Sequence, residues 1–140
     1  MKFFCALIAI IITVYANADA LNIKAIADVK TVNNEDSIER GRIVFFQCRT
    51  CHYVEKNYGH HNGPNLYGVF GRVAGTAAGF SYYSEAMKNA GKAGFIWSPA
   101  LLDIWLANPR TMIPGTAMVV FNLSAQQRAD LIEYLQAFHD

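Results

Sequence analysis

Beyond residue 18 the chain holds only two cysteines, Cys48 and Cys51. A structural zinc site built on one C-x-x-C half needs two further ligands, and no second cysteine pair supplies them. A thioredoxin-type dithiol needs a βαβ setting, and no strand pattern surrounds the pair. Charge is scarce as well. Charged residues make up 16% of the chain and the net charge is +1, which leaves no electrostatic footprint for nucleic acid. There are no internal repeats and no low-complexity runs, and strand signals are weak throughout. The longest apolar run, Phe3 to Ala16, is short of the about 20 residues that a membrane span requires. What remains is a single all-α domain with long loops.

The two cysteines form Cys48-Arg49-Thr50-Cys51-His52, or C-x-x-C-H. Two thiols at this spacing lie on one turn of backbone and reach the two vinyl groups of one porphyrin. The next residue then falls below the ring plane, where an imidazole can ligate iron. The pattern predicts one haem c, bound covalently through Cys48 and Cys51, with His52 as the proximal metal ligand. A porphyrin also enlarges the core of a small domain.

The chain divides on composition. Residues 1–18 read as a secretory signal: Lys2, the apolar run, then Ala16-Asn17-Ala18. Cys5 leaves with it. An uncleaved membrane anchor is the alternative. Thioether attachment takes place outside the cytoplasm, so export predicts a periplasmic protein. Residues 19–35 read as a polar tail or tether, and residues 36–140 as the domain.

Within the domain, Asp36 is placed as a helix N-cap, with Glu39 three residues on. Ile38, Gly41, Arg42 and Phe45 share one helical face. Gly41 costs about 1 kcal/mol against alanine inside a helix, which suggests that a second helix crosses there. The C-terminal segment is the candidate, capped by Ser124 and Gln127 and carrying Leu131, Tyr134, Leu135 and Phe138. Glycines 63, 68, 71, 75 and 79 rule out regular structure over most of 59–80. Ser81 to Ala90 is a short helix ending at Gly91. Ser98-Pro99 opens another that must stop before Pro109, with Leu101, Leu102, Trp105 and Leu106 on its apolar face. The second axial ligand stays open on these grounds among Met87, Met112, Met118, His60, His61 and His139. Met118 leads because Ile113-Pro114-Gly115-Thr116-Ala117 before it can lay a thioether over a haem face.

Taken in order, these motifs resemble the class I cytochromes c, mitochondrial cytochrome c and bacterial cytochromes c2. The matching residues are Gly41, Phe45, Cys48, Cys51, His52, Gly63-Pro64-Asn65-Leu66, Gly71-Arg72, Gly79-Phe80-Ser81-Tyr82, Trp97, Asn108-Pro109, Ile113-Pro114-Gly115-Thr116, Met118, Leu131 and Tyr134-Leu135. The resemblance implies that the N- and C-terminal helices cross and that long loops wrap one haem. It implies His52 and Met118 as axial ligands and the Pro64 carbonyl as partner of the His52 Nδ1–H. Tyr82, Trp97 and Thr116 would donate to the haem propionates, with Arg72 nearby. His60 would clip one loop to another. It further implies a soluble, monomeric one-electron carrier rather than an enzyme, working in a respiratory chain between a quinol-oxidising cytochrome complex and a terminal oxidase. A peroxidase or ligand sensor would need a labile distal ligand.

Two departures from the family stand out. Trp105 occupies the place of a tyrosine whose hydroxyl bonds the methionine sulfur, which leaves open whether an indole N–H reaches it. The lysines around the haem edge are thin: Gln47 precedes Cys48, Ala117 precedes Met118, and Arg110 is the only charge from Asn108 to Met118.

Overall fold

The computed structural model describes residues 34–140. The signal and most of the tail read from the sequence lie outside them. Residues Ser37–Asp140 form one compact unit. Among the described residues the regular elements are helices, with one isolated bridge between Val73 and Ile96. Helix α1 runs through 34–48; α2 is Glu85–Lys92, α3 Pro99–Ala107, α4 Pro109–Met112 and α5 Ala125–Gln136. None of them is long and apolar enough to cross a membrane.

Helix α1 already runs at residue 34, so Asp36 sits inside it and is not its N-cap. Its buried face is Gly41, Val44 and Phe45; Arg42 points to solvent, paired with Glu39 at 2.7 Å and lying over the Phe46 ring. Ile38, Gly41 and Phe45 keep the face read off the sequence, and Val44 takes the place given there to Arg42, whose long stem reaches solvent instead. Helix α5 crosses α1 at Gly41. A Cβ there would stand 2.0 Å from the Asp130 carbonyl oxygen and 2.7 Å from Tyr134 Cβ, so only glycine permits this approach. Phe45 stacks on Tyr134 at 5.4 Å beside it. Helix α5 opens on a complete capping box, Ser124 with Gln127. Its buried residues include Leu131, Ile132, Tyr134 and Leu135.

Helix α2 starts three residues later than the sequence suggests, at the N-cap Ser84, and continues through Gly91. A Cβ on Gly91 would lie 2.0 Å from the Ala74 carbonyl oxygen, so this glycine serves a close approach and not a stop. Ser98 caps α3, and Leu102, Trp105 and Leu106 are buried on it. Asn108 ends α3 and at once caps the one-turn α4, its Oδ1 accepting from Thr111 N at 3.1 Å. Pro109, read from the sequence only as a stop for α3, also opens this turn, because proline suits the first position of a helix.

The crossing carries a charge pair that the sequence did not advertise. Asp130, 3% exposed, accepts from Arg40 Nε at 2.8 Å and Nη2 at 2.9 Å, and from Gln126 Nε2 at 3.0 Å. The Arg40 bonds hold its carboxyl below the ordinary carboxylate range against the opposing effect of burial. A depressed carboxylate stabilises the fold at pH above its unfolded pKa, and that contribution disappears as pH falls through the folded one. Arg40 is half exposed, which moderates the pair. Asp130→Asn is therefore expected to lower stability by about 2 kcal/mol at pH 7. Denaturant titrations of both proteins should converge below about pH 4; a gap that persists undiminished at low pH would contradict the assignment.

Candidate haem site

The Cys48 end of α1 points into a cavity of about 380 Å³. Cys48, Cys51, His52, Met118, Trp105 and Thr116 are among its lining residues. An inner extension of about 90 Å³ shares Cys48, His52, Met118 and Trp105 and reaches Arg72, Trp97 and Pro64. Most of the remaining wall is aliphatic or aromatic.

His52 follows the C-x-x-C turn, whose backbone closes through Cys51 N and His52 N to the Cys48 carbonyl at 3.0 and 2.9 Å. Its Nδ1 donates to the Pro64 carbonyl oxygen at 2.7 Å. Burial pulls its pKa down, which keeps the ring neutral. With the proton on Nδ1, the Nε2 lone pair is the one left to bind a metal. Gly63 backs the ring. A Cβ there would lie 2.3 Å from His52 Cε1, so the loop can press flat on the imidazole only without a side chain. Gly63 is thus a positioning residue, which its place as loop punctuation and in the Gly63-Pro64-Asn65-Leu66 match did not by itself reveal.

Cys48 is pushed up to about 11, chiefly by burial and then by Cys51 beside it. A buried thiol raised in this way lacks the thiolate character of a redox-active nucleophile.

Met118 and Met112 separate clearly. Met118 lines both parts of the cavity; Met112 packs against the core outside it. Met87 also lines it, buried from α2. The Trp105 indole does reach the sulfur: its Nε1–H donates to Met118 Sδ across 3.0 Å. The Met118 amide donates to Thr116 Oγ1 at 3.2 Å, which leaves the hydroxyl proton to donate elsewhere.

Tyr82 is 84% exposed and lines only the outer cavity. Its neighbour Tyr83 lines both parts and is half-buried, with the hydroxyl accepting from Ala77 N at 3.2 Å. Two adjacent tyrosines differ by one residue of register, and no periodicity in a glycine-rich loop decides between them. Arg72 is half-buried at the inner end; its guanidinium donates to the Asn65 carbonyl at 2.8 Å and to the Tyr67 carbonyl. Burial pulls its pKa down, and no carboxylate among the described residues pairs with it. A desolvated cation of this kind suits an anionic ligand group. His60 ties the two loops, accepting from Asn65 N at 2.9 Å on Nδ1 and donating to the Ala78 carbonyl at 2.7 Å on Nε2.

The cytochrome c family profile matches residues 38–138. The chain belongs to the cytochrome c family. It is 50% identical to cytochrome c of Guizotia abyssinica over 92 residues, 65% of this chain and 79% of that one. It is 46% identical to cytochrome c of Chlamydomonas reinhardtii over 101 residues, 71% and 87% of the two chains. Among solved structures, cytochrome c2 from Rhodospirillum centenum superposes with TM-score 0.68 at 33% identity, covering 74% of this chain and 98% of that one. Cytochrome cH from Methylobacterium extorquens gives 0.62 at 37%, covering 71% and 96%.

This is a class I c-type cytochrome, an electron carrier with one covalently bound haem c. The residues present fit that group. Both thiols line one apolar cavity, a fixed neutral imidazole follows them, and a half-buried guanidinium, paired with no carboxylate among the described residues, stands at the inner end.

Proposed function

We propose that the protein is a soluble one-electron carrier in which His52 and Met118 are the two axial ligands. The observation that carries this is that a neutral imidazole with a free Nε2 and a methionine sulfur line the same apolar cavity. When bound there, haem c supplies a single iron that accepts and returns one electron. The chain's own residues do the rest. Cys48 and Cys51 tether the group, the Pro64 carbonyl orients His52, and the cavity wall excludes water. Arg72, Trp97, Thr116 and Tyr82 or Tyr83 supply the polar contacts for its carboxylates. With both axial places filled by side chains, no position is left for oxygen or peroxide, so the protein acts as a carrier and not an enzyme. We further propose export to the periplasm, a monomer, and partners consisting of a quinol-oxidising cytochrome complex as donor and a terminal oxidase as acceptor. The absorption spectrum tests the ligation. A six-coordinate low-spin haem with a methionine–iron charge-transfer band supports it; a high-spin resting state, as in a peroxidase or sensor, would refute it.

The outer cavity rim has little charge. Gln47, Thr50, Tyr82, Ala117, Val119 and Phe121 line it, and Val119 and Phe121 are exposed. Oppositely charged faces give association rates that fall steeply with ionic strength. Here electron transfer to a natural acceptor is expected to vary with salt less than in a mitochondrial cytochrome c. A steep dependence that survives removal of residues 19–35 would exclude apolar docking.

The same lack of lysine governs alkaline behaviour. Residues 108–118 hold no lysine, and Arg110 keeps its proton. Lys88 is paired with Glu85 at 2.9 Å on α2, and Lys56 with the Asp140 carboxylate. At high pH, whatever replaces Met118 on ferric iron is therefore expected to be hydroxide or another non-lysine ligand, and the exchange to come later than in lysine-bearing relatives. Magnetic resonance during a titration of the charge-transfer band identifies the newcomer; lysine bound at mildly alkaline pH would sink the expectation.

A further inference from the structure

Asn65 has 8% of its surface exposed, and each of its polar atoms has a partner. Its backbone amide donates to His60 Nδ1 at 2.9 Å. Its side-chain Nδ2 donates to the Glu55 carbonyl at 2.9 Å, on the segment that follows His52. Its Oδ1 accepts from Tyr67 N at 2.7 Å, which closes an Asx-turn. That turn aims two main-chain carbonyls at one guanidinium. Arg72 Nη1 donates to the Asn65 carbonyl at 2.8 Å, and Nη2 donates to the Tyr67 carbonyl.

This cradle is neutral. A carboxylate in the same place would cancel the charge of Arg72, whereas two carbonyls fix the guanidinium and leave its charge intact. They occupy one N–H on each Nη, so three of its five donors remain, Nε–H among them. Arg72 is half-buried at the inner end of the cavity, and none of the ion pairs among the described residues includes it. The loop therefore sets the aim of a long, flexible side chain, and Asn65 sets the loop.

We propose that Asn65 is a positioning residue that holds Arg72 against the haem carboxylates and thereby favours the reduced form of the cytochrome. The inference rests on Arg72 facing those carboxylates. Oxidation adds a positive charge at the iron. A cation fixed nearby in a dry cavity opposes that gain, while one free to swing into solvent is screened. Asn65 lines neither part of the cavity and acts through Arg72.

Asn65→Ala removes both side-chain bonds. In the holoprotein variant the equilibrium constant for reduction is expected to fall roughly threefold. The Arg72 guanidinium signal, read by nitrogen-15 magnetic resonance, is expected to shift. The His52 Nδ1–H signal is the internal reference, because its bond to the Pro64 carbonyl does not use the Asn65 side chain, and it should stay in place. Asn65→Ser keeps a hydroxyl that closes a weaker turn of the same kind and should restore part of the loss. Ile132→Ala truncates a buried α5 residue outside the cavity, so it lowers stability yet should leave the constant unchanged. Arg72→Gln separates the two readings. If it lowers the constant and Asn65→Ala does not, the role of Asn65 is overturned and Arg72 keeps its place. If Arg72→Gln changes nothing, the placement of the haem carboxylates fails, and the proposal with it. A His52 signal displaced as far as that of Arg72 would reduce Asn65 to loop packing and overturn the proposal as well. Should Asn65→Ala fail to fold, the wild-type holoprotein decides. Its Arg72 is expected to show separate, slowly averaging Nη signals, and rapid averaging would overturn the cradle.

Discussion

Met118→Ala is expected to abolish the charge-transfer band, convert ferric iron to a high-spin form and lower the potential. A methionine ligand favours the reduced metal, so its loss moves the balance toward the oxidised state. The opened position should then bind added imidazole without competition. The two comparison variants make the result specific. Met112→Ala is expected to leave the band intact, because Met112 ends α4 and packs on the core away from the cavity. Met87→Ala is the stricter control, since Met87 lines the same cavity. It is a buried wall residue on α2. Its truncation should cost about 2–3 kcal/mol of stability by leaving a void, yet leave the band unchanged. Loss of the band in Met112→Ala or Met87→Ala, with Met118→Ala normal, would reassign the ligand.

Gly41→Ala is expected to give the largest loss of stability of any single methyl addition at the helix crossing. Helix propensity alone favours alanine by about 1 kcal/mol. The crossing overrides it. The new Cβ would meet the Asp130 carbonyl oxygen at 2.0 Å, its carbon at 2.6 Å and Tyr134 Cβ at 2.7 Å. None of these is the tip of a flexible side chain, so relief requires the helices to separate. Separation loosens the Phe45–Tyr134 stack and the Arg40–Asp130 bonds together. Overpacking of this kind costs about 1–3 kcal/mol and at times more, and the upper end applies here. Guanidinium unfolding of the holoprotein measures it. A loss below about 1 kcal/mol would mean that the helices slide freely past each other and that the crossing is not close-packed.

Much of the molecule was legible in short-range sequence terms. C-x-x-C-H is a covalent requirement, so its spacing is readable without any fold. The Ser98-Pro99 start, the Ser124–Gln127 capping box and the Gly41 signal rest on contacts within one helix or on the absence of one side chain. The α5 stripe was equally plain, because four apolar residues at helical spacing have one face to bury. The sequence by itself thus determined the helical class, the haem attachment and the helices that cross.

Only the tertiary structure decided the rest, and in each case the deciding contact lies outside the residue's own turn of chain. Trp105 reaches Met118 because α3 and the loop after α4 fold onto one cavity; an indole's length does not reveal that beforehand. Tyr83 turns inward and Tyr82 outward in a loop without periodicity. Gly91 lies inside α2 and is a glycine because the Ala74 carbonyl passes beside it, which no helix stop signal reveals. Gly63 matters for the ring stacked on it, eleven positions after His52 in sequence. Asp130 would read as a solvent-facing charge until Arg40, 90 residues earlier, closes over it. Local rules fix which backbone a residue prefers, whereas burial, contact and charge pairing depend on what the rest of the chain brings alongside.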